Sequence, residues 1–171
     1  MDVPLVGRLG PTSADVSLAE RTPVSVHRIR LIGPWDWAFQ SPDLPVRPGE
    51  SVPTDSPISP SGSARMPCDW QTLFGQIAGR ATFSRKFHRP TNLEAHERVA
   101  VVLTGVAGEG TVNLNGKAVA RFSSVGQPVE ADVTELLLAF NTLDVDIEFS
   151  PPANREISGG LFAPVVLEIR A

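Results

Sequence analysis

The chain has 171 residues, of which 42% are hydrophobic and 20% charged, and a formal net charge of −4. That length and balance describe one domain able to bury a core, and they exclude a disordered segment. A negative chain repels phosphate backbones, which argues against nucleic acid. No stretch approaches the roughly 18 apolar residues of a membrane span, which argues against a membrane.

The lone cysteine, Cys68, rules out an intrachain disulfide and favours a reducing compartment. The first residues hold an early acid, two prolines and no apolar run, so the chain as written has no signal peptide. It reads as cytoplasmic, or as exported if a leader has been removed. An initiator Met, an arm and a chain that ends soon after its last strand fit a stand-alone domain.

Residues 1–22 carry no period and read as an N-terminal arm or an edge strand. The domain proper is expected over 23–171. Val24 to Ile32 is β-rich, and its apolar phase slips between Val26 and Ile29, as at a bulge or twist. Residues 41–67 hold seven prolines, six serines and two glycines, so they cannot be a central strand. They read as a long surface loop pinned by Leu44, Val46, Val52 and Ile58, either functional or a solvated excursion.

Beyond Pro67 the strand signals are regular. Ala81, Phe83, Arg85 and Phe87 share one face of a strand, and Arg80, Thr82, Ser84 and Lys86 share the other. Val99 to Thr104 is apolar on both faces, as a central strand is. Asn115-Gly116 between Val112–Leu114 and Ala118–Ala120 predicts a two-residue hairpin turn, since both positions tolerate φ > 0. Asp132 or Thr134 is placed to cap a short helical turn. Leu143, Val145, Ile147 and Phe149 alternate with Thr142, Asp144, Asp146 and Glu148, giving one dry and one wet face; Val165, Leu167 and Ile169 repeat the pattern. No amphipathic helix exceeds a turn or two. Many short strands joined by turns predict an all-β sandwich or barrel.

Six short motifs then stand in a fixed order. They are Ile29–Trp37, Met66-Pro67-Cys68-Asp69-Trp70, Gly79-x-Ala81-x-Phe83-x-Arg85-x-Phe87-x-x-Pro90, and Leu103–Val106 followed by Val112–Lys117. Asp132-Val133-Thr134 then precedes Asn141–Val145, and Gly159–Phe162 leads into Val165–Glu168. This order resembles the non-catalytic sugar-binding domain of family 2 glycoside hydrolases, the β-galactosidase and β-glucuronidase group. The resemblance implies a jelly-roll β-sandwich, galactose-binding domain-like, without the catalytic barrel. It also implies that Trp35 and Trp70 fill the core. The chain departs from the family pattern at Phe140, where a glycine usually precedes the asparagine, and at Ser123–Gly126, where a Gly-Gly stretch is reduced.

The residues offer little chemistry. Asp144, Asp146 and Glu148 have workable spacing for glycoside hydrolysis, but they form a wet strand face, so no catalytic residue is assigned. His27, His88, His96 and Cys68 have no metal-ligand spacing, so no metal and no cofactor is expected. Sugar sites use an exposed ring flanked by polar donors. Phe74, expected in a loop at 71–76, and Trp37 are the candidate rings, with Asp36, Gln71, Gln76 and Arg80 as polar contacts. Arg85 shares a face with Phe83 and Phe87, so its charge needs a partner, and Asp132 is the expected one, in a structural pair.

Two classes of function remain open. One is a carbohydrate-associated binding module. The other is a structural or protein-interaction domain, met by a protein partner or a second copy of itself, that kept the fold without a sugar site.

Overall fold

The computed structural model describes residues 26–41, 61–153 and 158–171. The expected arm at 1–22, the start of the first strand at Val24, and Leu44, Val46, Val52 and Ile58 of the Pro/Ser-rich segment lie outside the described residues.

The elements run β1 (Val26–Arg30), β2 (Trp35–Gln40), β3 (Ser61–Ala64), α1 (Trp70–Phe74), β4 (Gly79–His88), β5 (Arg98–Leu103) and β6 (Ala107–Leu114). They continue with β7 (Lys117–Val125), β8 (Val129–Asp132), a 3-10 turn (Thr134–Leu136), β9 (Phe140–Phe149) and β10 (Val165–Arg170). Two antiparallel sheets face each other, one ordered β1-β10-β5-β8 and the other β3-β2-β4-β9-β6-β7. The protein is an all-β jelly-roll sandwich.

Alternation decides which side chains meet between the sheets. On β9, Leu143, Val145, Ile147 and Phe149 are buried, while Asp144 and Asp146 are half-buried and Glu148 is exposed on the other face. From the six-stranded sheet, Phe83, Val145 and Ile147 enter the core; Val101, Leu103 and Leu167 enter from the four-stranded sheet. Each side chain of this size contributes roughly 1.5–3 kcal/mol when buried. Trp35 and Trp70 are both fully buried in it, each with its indole N–H donating to a backbone carbonyl, Leu31 O at 2.7 Å and Ile77 O at 2.9 Å.

β5 is buried on both faces, as a strand flanked by β10 and β8 must be. β10 is buried on both faces too, contrary to its expected wet side. It runs between β1 and β5, so Val166 packs with Ala100 and Val102 on the outer face and Glu168 is enclosed by arginines. The phase slip in the first strand is not a bulge. β1 pairs with β10 in unbroken register from Val26↔Arg170 to Arg30↔Val166, and it tolerates irregular polarity because it is a largely exposed edge.

Within the Pro/Ser-rich segment, Ser61–Ala64 is a strand, paired along the edge of β2. Gly62 permits this: the Trp37 ring lies so close that a Cβ there would sit 2.5 Å from its Cζ2.

Arg85 and Asp132 do not pair. Arg85 faces inward from β4, and its Nη1 donates to Pro34 O at 2.7 Å, while its buried Nε has no partner among the described residues. Asp132 lies on the exposed outer face of the other sheet, since its neighbour Ala131 takes the inward position. Its Oδ1 accepts from the hydroxyl of Thr134 at 2.7 Å and from the Thr134 N–H at 2.9 Å. Those bonds, the hydroxyl first, hold its carboxyl below the usual range.

Candidate functional site

The six residues expected to form a ligand site do not share one surface, although two of them, Trp37 and Phe74, are in contact. Asp36 and Trp37 are consecutive on β2 and so point to opposite faces of the sheet. Trp37 is half-buried and packs edge-on to Phe74, ring centroids 5.2 Å apart. Phe74 is only 1% exposed, which overturns its reading as a ring in an open loop. The cause is local. Asp69 Oδ1 accepts from Gln71 N at 2.8 Å and caps α1, with Gly75 closing it at φ 66. One helical turn carries Phe74 inward beside Trp70, where it stacks on Phe39 at 4.3 Å and 12°. Gln71 is on that helix and Gln76 just past it, while Arg80 is on the outer face of β4. Arg80 pairs with Glu148 at 3.1 Å, beside an open groove lined also by Gln40 and Ser150 that holds no aromatic ring.

The strand carboxylates form a bonded ladder. Thr82 Oγ1 donates to Asp146 at 2.6 Å, Asn113 Nδ2 donates to the other oxygen of Asp146 at 3.0 Å, and Ser84 donates to Asp144. Glu109 and Glu148 oppose each other across β6 and β9, but both are exposed and engaged, by Ser123 and Arg80. Among the described residues, no three His, Cys, Asp or Glu side chains gather as a metal set.

The exposed ring lies elsewhere. Phe140, the first residue of β9, is 72% exposed. It forms the last rung of the β4–β9 ladder with His88, the rings 4.7 Å apart. The next rung on the same face, two positions back, pairs Lys86 with Thr142. With Phe87 and Asn141 these residues line an open groove of about 180 Å³.

The groove's floor is fixed by two asparagines. Asn141 is buried, and its side chain closes the preceding turn, accepting from Leu138 N at 2.9 Å and donating to Leu138 O at 2.8 Å. Asn115, at the hairpin corner with φ 53, donates to Asn141 Oδ1 at 3.0 Å and accepts from Thr142 N at 2.9 Å. The strand start that presents Phe140 is thereby held from both sides.

The sequence held one signal for this site: Phe140 is where the chain departs from the family pattern. Nothing local showed that His88 lies opposite it, because that depends on the β4–β9 register.

No protein-family model matches the chain, and no curated protein matches it. Solved structures do. An FMN-binding β-glucuronidase from Faecalibacterium prausnitzii L2-6 is 21% identical with a TM-score of 0.64, over 85% of this chain and 23% of that one. A β-glucuronidase from Bifidobacterium dentium is 20% identical with a TM-score of 0.61, over 85% of this chain and 30% of that one. A family 2 glycoside hydrolase β-galacturonidase from Eisenbergiella tayi is 19% identical with a TM-score of 0.60, over 84% of this chain and 24% of that one. The chain spans less than a third of the length of each of these enzymes. Its jelly roll therefore has the fold of a sandwich found within family 2 glycoside hydrolases, and resembles that part of them alone.

Proposed function

We propose that the chain is a non-catalytic, carbohydrate-associated binding module, with the groove at Phe140 as its ligand site. The observation that carries this is the exposed Phe140 ring, held on a rigid strand start beside polar groups of Lys86, His88 and Thr142. An aromatic face packs on the C–H groups of a pyranose, while flanking donors and acceptors meet its hydroxyls. The fold shared with part of several glycoside hydrolases supports the same reading. A hydrolase is disfavoured, because hydrolysis needs two carboxyl groups facing one bond in a cleft. Asp144, Asp146, Glu109 and Glu148 of the six-stranded sheet instead lie on an open face, bonded to Ser84, Thr82, Asn113, Ser123 and Arg80.

A second reading has one observation in its favour. Leu138, two residues before Phe140, is also 59% exposed, so this end of the sandwich is an apolar patch that suits a protein partner. A glycan array followed by calorimetry separates the two. The module reading expects saccharide binding that Phe140→Ala removes. Absence of binding to every glycan at millimolar concentration sinks it in favour of the interaction domain.

A further inference from the structure

We infer that the Phe140 groove prefers an anionic saccharide, one whose pyranose carries a carboxylate; this rests on the module reading above and names its ligand class. The chain as a whole is acidic, with a net charge of −4, yet the residues lining this groove include an ammonium and an imidazole and no carboxylate. Lys86 has no ion-pair partner among the described residues, unlike Arg80 on the same outer face of β4, which pairs with Glu148. The next carboxylate along that face, Asp144, accepts from Ser84 one rung further on.

The spacing suits such a sugar. Successive rungs on one face of a strand lie about 7 Å apart. A pyranose resting on the Phe140–His88 rung would reach the Lys86–Thr142 rung with a carboxylate at its edge. Lys86 would meet that carboxylate as a point charge, and the Thr142 hydroxyl, half-buried beside it, is placed to donate a hydrogen bond. A neutral sugar on the same ring offers the ammonium a hydroxyl but no opposite charge.

Calorimetry with galacturonic acid oligomers and neutral galactose oligomers of equal length tests this on the whole chain. The charged pair is solvent-exposed, so the expected preference for the acid is modest, about two- to fivefold, and shrinks at high salt. Lys86→Gln, which keeps a polar group but removes the charge, is expected to erase the preference and to lower neutral-sugar affinity far less than acid affinity. Phe140→Ala is expected to weaken both. Both positions are exposed, so the variants should match the parent in circular dichroism. Equal affinity for the two oligomers, with both lost in Phe140→Ala, overturns the anionic preference while the module reading stands. An acid preference undiminished in Lys86→Gln overturns the role of Lys86. Binding of neither oligomer overturns this inference, and the glycan array then decides the module reading separately.

Discussion

Asn115 and Asn141, 26 positions apart in sequence, share a hydrogen bond of 3.0 Å that ties the β6–β7 hairpin to the strand start bearing Phe140. Asn115 also donates to Leu136 O at 3.1 Å, and Asn141 satisfies both backbone groups of Leu138. Buried groups left without partners cost roughly 1–3 kcal/mol each. Asn141→Ala is therefore expected to lose about 2–4 kcal/mol in urea unfolding and to weaken any saccharide bound at Phe140. Asn115→Gly, which keeps the left-handed backbone, should cost about 1 kcal/mol less than Asn115→Ala. Equal losses for the two would show that the backbone conformation contributes nothing there.

Phe74 is a core residue where the sequence suggests an exposed ring, and the exposed ring is Phe140. Phe74 packs among Trp37, Phe39, Trp70 and Phe83. Its truncation to Ala should destabilise the fold by about 3–5 kcal/mol through lost burial and a cavity. Phe140→Ala, at the protein's edge, should stay within about 0.5 kcal/mol of the parent. Thermal unfolding of the two variants side by side checks the contrast. Similar losses would mean that Phe140 is a core residue and not a ligand platform.

The sandwich is legible where a strand declares its own period: Leu143 to Phe149 and the Asn115-Gly116 turn are local signals, read without knowing their neighbours, whereas β3 and the two-sided burial of β10 are not. The site was less legible because it is made by pairing. His88 meets Phe140 only through a register spanning β4 and β9. The local signal that buries Phe74 is the helix cap at Asp69, since Asp-Trp-Gln-Thr-Leu-Phe-Gly contains both the cap and the closing glycine. The charge of Arg85 suggests an acidic partner. Its actual partner, the Pro34 carbonyl, belongs to the backbone, and side-chain type does not reveal such acceptors.

Gly62 lets β3 lie under the Trp37 ring. A Cβ at this position would come 2.5 Å from Trp37 Cζ2 and 2.7 Å from Cε2. The indole is wedged against Phe74 and cannot swing away freely. Gly62→Ala should therefore cost about 1–3 kcal/mol as the strand or the ring shifts, with a change in tryptophan fluorescence. An unchanged urea midpoint and emission spectrum would show that β3 moves outward without penalty.

The outer face of the four-stranded sheet carries carboxylates held by arginines, which ties its stability to pH. Glu168, 5% exposed, receives Arg28 Nε at 2.7 Å and Arg170 Nε at 3.0 Å, and Arg170 also bridges to Glu130. Hydrogen bonds from Arg170 first, then Arg28, hold the Glu168 carboxyl below its ordinary value of 4.5, and Arg170 does the same for Glu130. A carboxyl whose folded pKa is depressed binds protons more readily in the unfolded chain, so its contribution is fully present above about pH 4.5. It disappears as the pH falls through the lower folded value. The urea midpoint should therefore stay level on this account from pH 8 to 5 and decline below about 4.5. Glu168→Gln should lower stability at pH 7 by about 1–3 kcal/mol, since it removes charge-assisted hydrogen bonds from two arginines. It should also flatten the acid decline. A variant as stable as the parent at pH 7, with the same acid slope, would mean that Arg28 and Arg170 gain as much from water as from Glu168.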